Sequence, residues 1–267
     1  MDLPIAASGA SAAEVALHCA EAASTIMREA FGIASVSGVK GRGNVVTETD
    51  LASERAVMAI LREEFPDHAI LSEETAGTTR SDGWMWVVDP IDGTKNFSRA
   101  IPHFGFNLAL CFANEPLVGV ATHPMVNETY LAVSGEGTTL NGRRVAVTDC
   151  PTVAEAVVAI DMGYDAERAA RQLQLARHLW PGMQSLRTSG SAALGFAFVA
   201  AAKWDIYVHS DLQPWDIAAG LILVREAGGV VRDRTGAEAT IYSREAVATN
   251  QTLHANFAEL AAGLPWT

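Results

Sequence analysis

The chain has 267 residues, with 19 Lys+Arg against 31 Asp+Glu and a formal charge of −12. That length predicts one large domain or two intimate ones, with a core that needs neither disulfide nor structural metal. No uncharged apolar stretch reaches the ~18–20 residues of a membrane span, and an acidic balance with no basic run excludes a nucleic-acid binder. No basic residue precedes Arg28, so a signal-peptide n-region is not expected. Cys19, Cys111 and Cys150 form no Cys-x-x-Cys pair, which predicts a reducing, cytoplasmic setting and no Cys zinc site.

In chain order, Ser11 caps a helix running to Phe31, with Glu14 completing a capping box and Gly32 as the stop. Gly38, Gly41 and Gly43, with Lys40 and Arg42 among them, predict a flexible basic loop or hairpin over 36–46. Thr49 or Asp50 caps a second helix through Phe65, ended by Pro66. Short apolar runs follow at 69–71, 84–88, 106–112, 117–121 and 129–133, separated by turn residues, as in a meander of strands. Beyond Pro151 the chain alternates: strands at 157–160, 184–187, 204–208 and 230–232, helices at 167–178, 192–201 and 217–226. The order predicts an α+β fold with a soft boundary near 150, dividing a lobe of residues 1–150 from one of 151–267.

The most informative segment is Trp84-Met-Trp-Val-Val-Asp-Pro-Ile-Asp-Gly-Thr-Lys-Asn-Phe97. Asp89 ends a β-prone run, Pro90 stops the strand because it cannot donate to a ladder, and Asp92-Gly93 turns the chain into a helix from Thr94. Two carboxylates three residues apart then lie close together, and a divalent hard cation relieves their repulsion. The amides of Gly93 and Thr94 are left at a helix start, where anions bind. A plain capped Asp-Gly turn is the blander reading of Asp92 alone. Glu73 and Glu74 close the strand Ala69-Ile-Leu-Ser, where a solvated loop charge is the simpler alternative. Asp216 stands in the first turn of an apolar helix, where a helix-dipole acid is the alternative.

Together, Ile70-Leu-Ser-Glu-Glu74, Trp86-Val-Val-Asp-Pro-Ile-Asp-Gly-Thr-Lys-Asn-Phe97 and Pro214-Trp-Asp-Ile-Ala-Ala-Gly220 resemble the signature segments of the inositol monophosphatase family. Val46-Thr-Glu-Thr-Asp50, Gly190-Ser-Ala192 and Glu226-Ala-Gly-Gly-Val230 fit the same pattern, so the resemblance spans roughly residues 11–250. It implies a layered α-β-α-β-α sandwich with a metal site at the junction of two lobes. It also implies a Mg²⁺-dependent, lithium-sensitive phosphomonoesterase that takes two or three ions and works as a homodimer. By that resemblance, Glu73, Asp89 and the Ile91 carbonyl hold one Mg²⁺, and Asp89, Asp92 and Asp216 hold another. A water activated there attacks the phosphomonoester without a phospho-enzyme, oriented by Glu73 and Thr94 with Asp50 behind Thr94. Gly93 and Thr94 bind the phosphate. Gly190, Ser191 and Ala192, with Asp216, meet the substrate, and Glu74 and a mobile loop carrying Lys40 support the site.

One position departs from the pattern. Inositol-type members carry a Glu seven residues before the metal-binding Asp, and this chain has His209 there, with Asp211 close by but out of register. Inositol 1-phosphate is the first expectation for substrate. Histidinol phosphate, fructose 1,6-bisphosphate and phosphoadenosine phosphates are alternatives with the same chemistry. A catalytically inactive regulatory member is the alternative of another class. The spacing Asp-x-x-Asp excludes an Asp-x-Asp phosphatase, and the chain has neither a G-x-S-x-G elbow nor a P-loop. Asp50, Glu73, Glu74, Asp89, Asp92 and Asp216 bring six negative charges to one place, so the acidity itself predicts a site that attracts phosphate only when metal is bound.

Overall fold

The computed structural model describes residues 2–33, 36–41, 44–75 and 81–264. Helices α1 (Ala12–Ala30) and α2 (Glu48–Glu64) flank a hairpin of β1 (Val36–Gly41) and β2 (Asn44–Thr47). Next come β3 (Ala69–Ser72), β4 (Trp84–Asp92), the short α3 (Thr94–Ser98), β5 (Gly105–Phe112), β6 (Glu115–His123), β7 (Glu128–Val133), β8 (Gly137–Leu140) and β9 (Arg143–Val145). The second half holds β10 (Val157–Asp161), α4 (Ala166–Leu179), β11 (Ser185–Arg187), α5 (Ala192–Ala200) and β12 (Ile206–His209). It ends with α6 (Pro214–Glu226), β13 (Val230–Arg232), β14 (Ala246–Thr249) and α7 (Gln251–Ala261).

Strands β3 to β9 form a seven-stranded sheet in chain order, antiparallel except for β3 beside β4. The second sheet has the order β11-β10-β12-β14-β13. Alternation within the strands dictates the layering. Trp86 and Val88 of β4, with Leu108 and Leu110 of β5, pack under α1 and α2. Met85 and Val87, with Ala109 and Cys111, face the other way, onto α5 and α6. Ala159, Tyr207 and Ala248 of the second sheet close over those same helices, while Val158, Ile206 and Val247 turn outward to α4 and α7. The result is five layers, α-β-α-β-α. Helices α5 and α6 are apolar on nearly every side because both faces are covered.

Several boundaries differ from expectation. The second helix is capped by Thr47, whose hydroxyl accepts from the amides of Thr49 (3.2 Å) and Asp50 (3.4 Å). Asp50 sits three residues in and reaches back to the Thr47 amide (2.8 Å), so it is the closing member of a capping box and not the cap. Strands β8, β9 and β14 and helix α7 go beyond the sequence-based expectation; β8 and β9 are short and polar, with no alternation to read. No helix among the described residues is long and apolar enough to cross a membrane.

The close seat of α6 on the first sheet depends on small residues. A Cβ on Gly119 of β6 would stand 2.5 Å from Ile222 Cγ2 and 3.0 Å from the Ala219 carbonyl. Gly119→Ala is therefore expected to overpack this layer by about 1–3 kcal/mol and to lower Tm by several degrees. Gly83→Ala, where the nearest atom is 3.7 Å away, leaves Tm unchanged; calorimetry of the two variants checks the contrast.

Candidate active site

Asp89 and Asp92 share a face because β4 is irregular between them. In a regular strand residues three apart point to opposite faces. Here Asp89 pairs with Asn107 and Asp92 with Gly105, so three steps on β4 oppose two on β5. This bulge carries the strand past Pro90 to Asp92, against the expectation that Pro90 ends it. The missing N–H of Pro90 falls where the ladder is already interrupted. Asp216 arrives from the first turn of α6, which is fastened to the same sheet by Asn107. The Asn107 side-chain amide donates to the carbonyls of Trp215 (2.6 Å) and Asp216 (3.3 Å).

One oxygen from each of Asp89, Asp92 and Asp216 lies within 4.8 Å of the other two. Each carboxylate is held by neutral donors. Asp89 accepts from the Ile91 amide (3.1 Å), and Asp216 from the Gln213 amide (2.6 Å). Asp92 accepts from the Ser191 hydroxyl and the Ala193 amide (2.9 Å) at the start of α5. Among the described residues none of the three has an ion-pair partner. Burial, followed by the charges of Glu73, Asp92, Asp216 and Asp50, pushes Asp89 well above the usual carboxylate range. Burial and then Asp92 raise Asp216 likewise. Asp92 is pushed up to about 6 by burial, with the α5 hydrogen bonds opposing. An all-oxygen set whose charges repel one another is the donor chemistry of a hard divalent cation, so the residues fit Mg²⁺.

The three acids stand in a cleft of about 470 Å³ that Glu73, Ile91, Gly93, Thr94, Gly190, Ser191, Ala192 and His209 also line. Glu73 follows β3, its amide donating to the Val88 carbonyl (3.3 Å). Glu74 is not among the lining residues. Asp50 lies beneath the cleft, buried, with Oδ1 2.9 Å from the Thr94 hydroxyl; that hydroxyl is also 2.9 Å from the Ile91 carbonyl. Burial raises the Asp50 carboxyl, with bonds from Thr47 and Thr94 opposing. Arg42 and the Lys40 side chain lie outside the described residues.

Gly93 adopts φ +88° and Gly190 φ +73°, and a Cβ on Gly93 would meet the Gly190 carbonyl at 3.0 Å. Only glycine allows the two turns to approach this closely. The Gly190 amide and the Ser191 hydroxyl are already committed, to Asp161 (2.9 Å) and Asp92 respectively, which narrows what they can offer a substrate. His209 is buried at the end of β12, and its Nδ1 accepts from the Asp211 amide (3.1 Å). Its ring proton therefore sits on Nε2. Burial lowers its pKa, with Asp161 and Asp211 opposing. Asp211 does not stand free as an acceptor. It is paired with Arg244 and bonded by the amides of Tyr164 (3.1 Å) and Asp165 (3.3 Å).

Lys95, Tyr164 and Asp161 also line the cleft, and the sequence reading gives them no role. Lys95 is the one Lys or Arg among the described lining residues, with Nζ 4.9 Å over the Tyr164 ring from the other half of the chain. Asp161 ends β10 beside His209. Its only sequence signal is that Val157-Val-Ala-Ile-Asp161 closes an apolar run with an acid, as Trp86-Val-Val-Asp89 does.

Comparison with known proteins gives a consistent result. The model of the Inositol monophosphatase family matches residues 10–264. Inositol monophosphatase 2 of Solanum lycopersicum is 34% identical over 249 residues, covering 90% of this chain and 94% of its own. Nus factor SuhB of Escherichia coli K12 is 36% identical over 213 residues, covering 79% and 80%. The Thermotoga maritima IMPase structure superposes with a TM-score of 0.85 at 31% identity, covering 92% of this chain and 95% of its own.

The cluster also predicts how stability responds to pH. Its carboxyls bind protons more tightly folded than unfolded, so stability is lost as pH rises from the unfolded pKa through the folded one. With metal chelated, Tm is expected to fall as pH rises from about 4 through the Asp92 value of about 6. Asp89→Asn is expected to raise the chelated Tm at neutral pH by a few degrees and to remove the gain that added Mg²⁺ gives the unaltered chain. Scanning calorimetry with and without chelator measures both.

Proposed function

Because the chain belongs to the inositol monophosphatase family, whose members are Mg-dependent phosphoric monoester hydrolases, we propose that it hydrolyses a small sugar or polyol phosphate, inositol 1-phosphate first among them. The convergence of Asp89, Asp92 and Asp216 beside the Gly93–Thr94 turn carries this reading. Glu73, Asp89 and the Ile91 carbonyl would hold one Mg²⁺, and Asp89, Asp92 and Asp216 a second. Bound there, Mg²⁺ offsets the carboxylate charge, polarises the phosphate and acidifies water. The half 1–150 supplies all of these groups except Asp216, which comes from 151–267. The reading includes a homodimer in the cytoplasm.

The protein's own groups then divide the work. The amides of Gly93 and Thr94 hold phosphate oxygens at the start of α3. Glu73 and the Thr94 hydroxyl orient the attacking water. As Thr94 takes a proton from that water it passes its own to Asp50 Oδ1, 2.9 Å away. The raised affinity of Asp50 for a proton suits it to receive one. His209 Nε2–H offers a donor to the leaving group, where an acid would offer an acceptor.

Phosphate release from inositol 1-phosphate, fructose 1,6-bisphosphate, histidinol phosphate and adenosine bisphosphate, with and without Mg²⁺, tests the reading. Mg²⁺-dependent release is expected, and Asp89→Asn is expected to lower it by about a hundredfold or more. Release within about tenfold of the unaltered chain counts against the role of Asp89. No release from any substrate favours an inactive regulatory protein. His209→Gln is expected to change the ratio of kcat/KM between two of these substrates by about fivefold or more while leaving the Mg²⁺ midpoint in place. Equal loss on every substrate contradicts it.

A further inference from the structure

Asp161 is a buried acid that the proposed chemistry does not use, yet every acceptor site on it is filled. Oδ1 accepts from the amides of Ser189 (2.8 Å) and Gly190 (2.9 Å). Oδ2 accepts from the Ser189 hydroxyl (2.6 Å) and the Tyr207 hydroxyl (3.1 Å). A carboxylate offers about four lone-pair sites, so Asp161 has none left for a substrate. No Lys or Arg pairs with it among the described residues. Its charge is therefore spent on fixing the turn that enters α5.

That turn is pinned from both halves of the chain. Asn96 of α3 donates to the Ser189 carbonyl (2.8 Å) and to the His103 carbonyl (2.7 Å). Asp161, at the end of β10, grips the amides of the same two-residue turn. Tyr207 reaches Asp161 because its ring lies flat on Gly195, where a Cβ would stand 2.3 Å from it. The next residues, Ser191 and Ala193, are the ones that bond Asp92. A chain of hydrogen bonds thus runs from β10 through 189–191 to the carboxylate of Asp92, without Asp161 touching the three-acid cluster.

We propose that Asp161 is the positioning residue for Asp92: by holding the Ser189–Gly190 turn it sets the Ser191 hydroxyl and Ala193 amide that aim the Asp92 carboxylate at the divalent cation. The inference rests on the phosphatase reading for the identity of the cation site, but not for its own readout. Asn keeps an acceptor for the two amides, and both hydroxyls can reverse their bonds to accept from its NH₂. Asp161→Asn therefore preserves the scaffold, and Asp161→Ala abolishes it.

Binding of Mn²⁺, followed by electron paramagnetic resonance of the free ion, is the test, with Tm in chelator as the control for folding. Asp161→Ala is expected to weaken Mn²⁺ binding by about tenfold or more, and Asp161→Asn by about threefold or less. In activity, kcat for Asp161→Ala should fall and recover in part at high Mg²⁺, with KM for the phosphomonoester little changed. Unchanged Mn²⁺ binding by Asp161→Ala overturns the proposal, even if its Tm falls. Equal weakening by Asn and Ala also overturns it, because then charge and not the hydrogen-bond scaffold matters. If Asp161→Ala does not fold, Ser189→Ala decides: weaker Mn²⁺ binding at unchanged Tm supports the proposal, and unchanged binding overturns it. Weakened binding in a protein that hydrolyses no phosphomonoester defeats the phosphatase reading and leaves this one standing. No Mn²⁺ binding by the unaltered chain defeats both.

Discussion

Repulsion among three carboxylates held within 4.8 Å of one another is the constraint to which the rest of the molecule answers. No ammonium or guanidinium is spent on them among the described residues. Instead each is steadied by amides and hydroxyls drawn from a different element: the β4 bulge for Asp89, the start of α5 for Asp92, the start of α6 for Asp216. Neutral donors fix direction without cancelling charge. A cationic side chain would have satisfied the cluster and left nothing for a metal to do.

The layers serve the same end. Both buried helices run between the sheets and begin at the cleft, so their first turns deliver side chains and amides to one spot from the middle of the sandwich. This requires the sheets to come close, which explains Ala109, Gly119 and Ala121 on the inward face of the first sheet where the outward face carries Leu108, Val118 and Val120. Bulk on the inward face would lift α6, and Asp216 with it, away from Asp89.

The local part of this arrangement was legible in the sequence, and the long-range part was not. Asp92 and Glu73 stand at strand ends, Asp89 beside the bulge just before one, and Asp216 in a first helical turn, and their neighbours announce it. That Asp89 and Asp92 reach the same face was expected, but by a strand that stops at Pro90. The actual device is a bulge, set by pairing with Asn107 and Gly105 on a strand whose register no local signal reveals. Thr47 is the cap where Thr49 or Asp50 is expected because Thr and Asp both cap helices, and only the direction of the side-chain oxygen separates the three positions. Asp161 is silent because the three residues that bond it lie 28 to 46 positions away, and periodicity says nothing about contacts at that range.

The Asn96 bond to the Ser189 carbonyl and the Ser191 bond to Asp92 join the two halves of the chain at the cleft. Any separation of the halves has to break these bonds and disperse the acids together. A ligand that binds only the assembled acids therefore acts as a fastener between the sheets, adding RT ln(1 + [L]/Kd) to the work of prising them apart. Under the reading proposed above, resistance to unfolding by that route would rise with the magnesium around the chain.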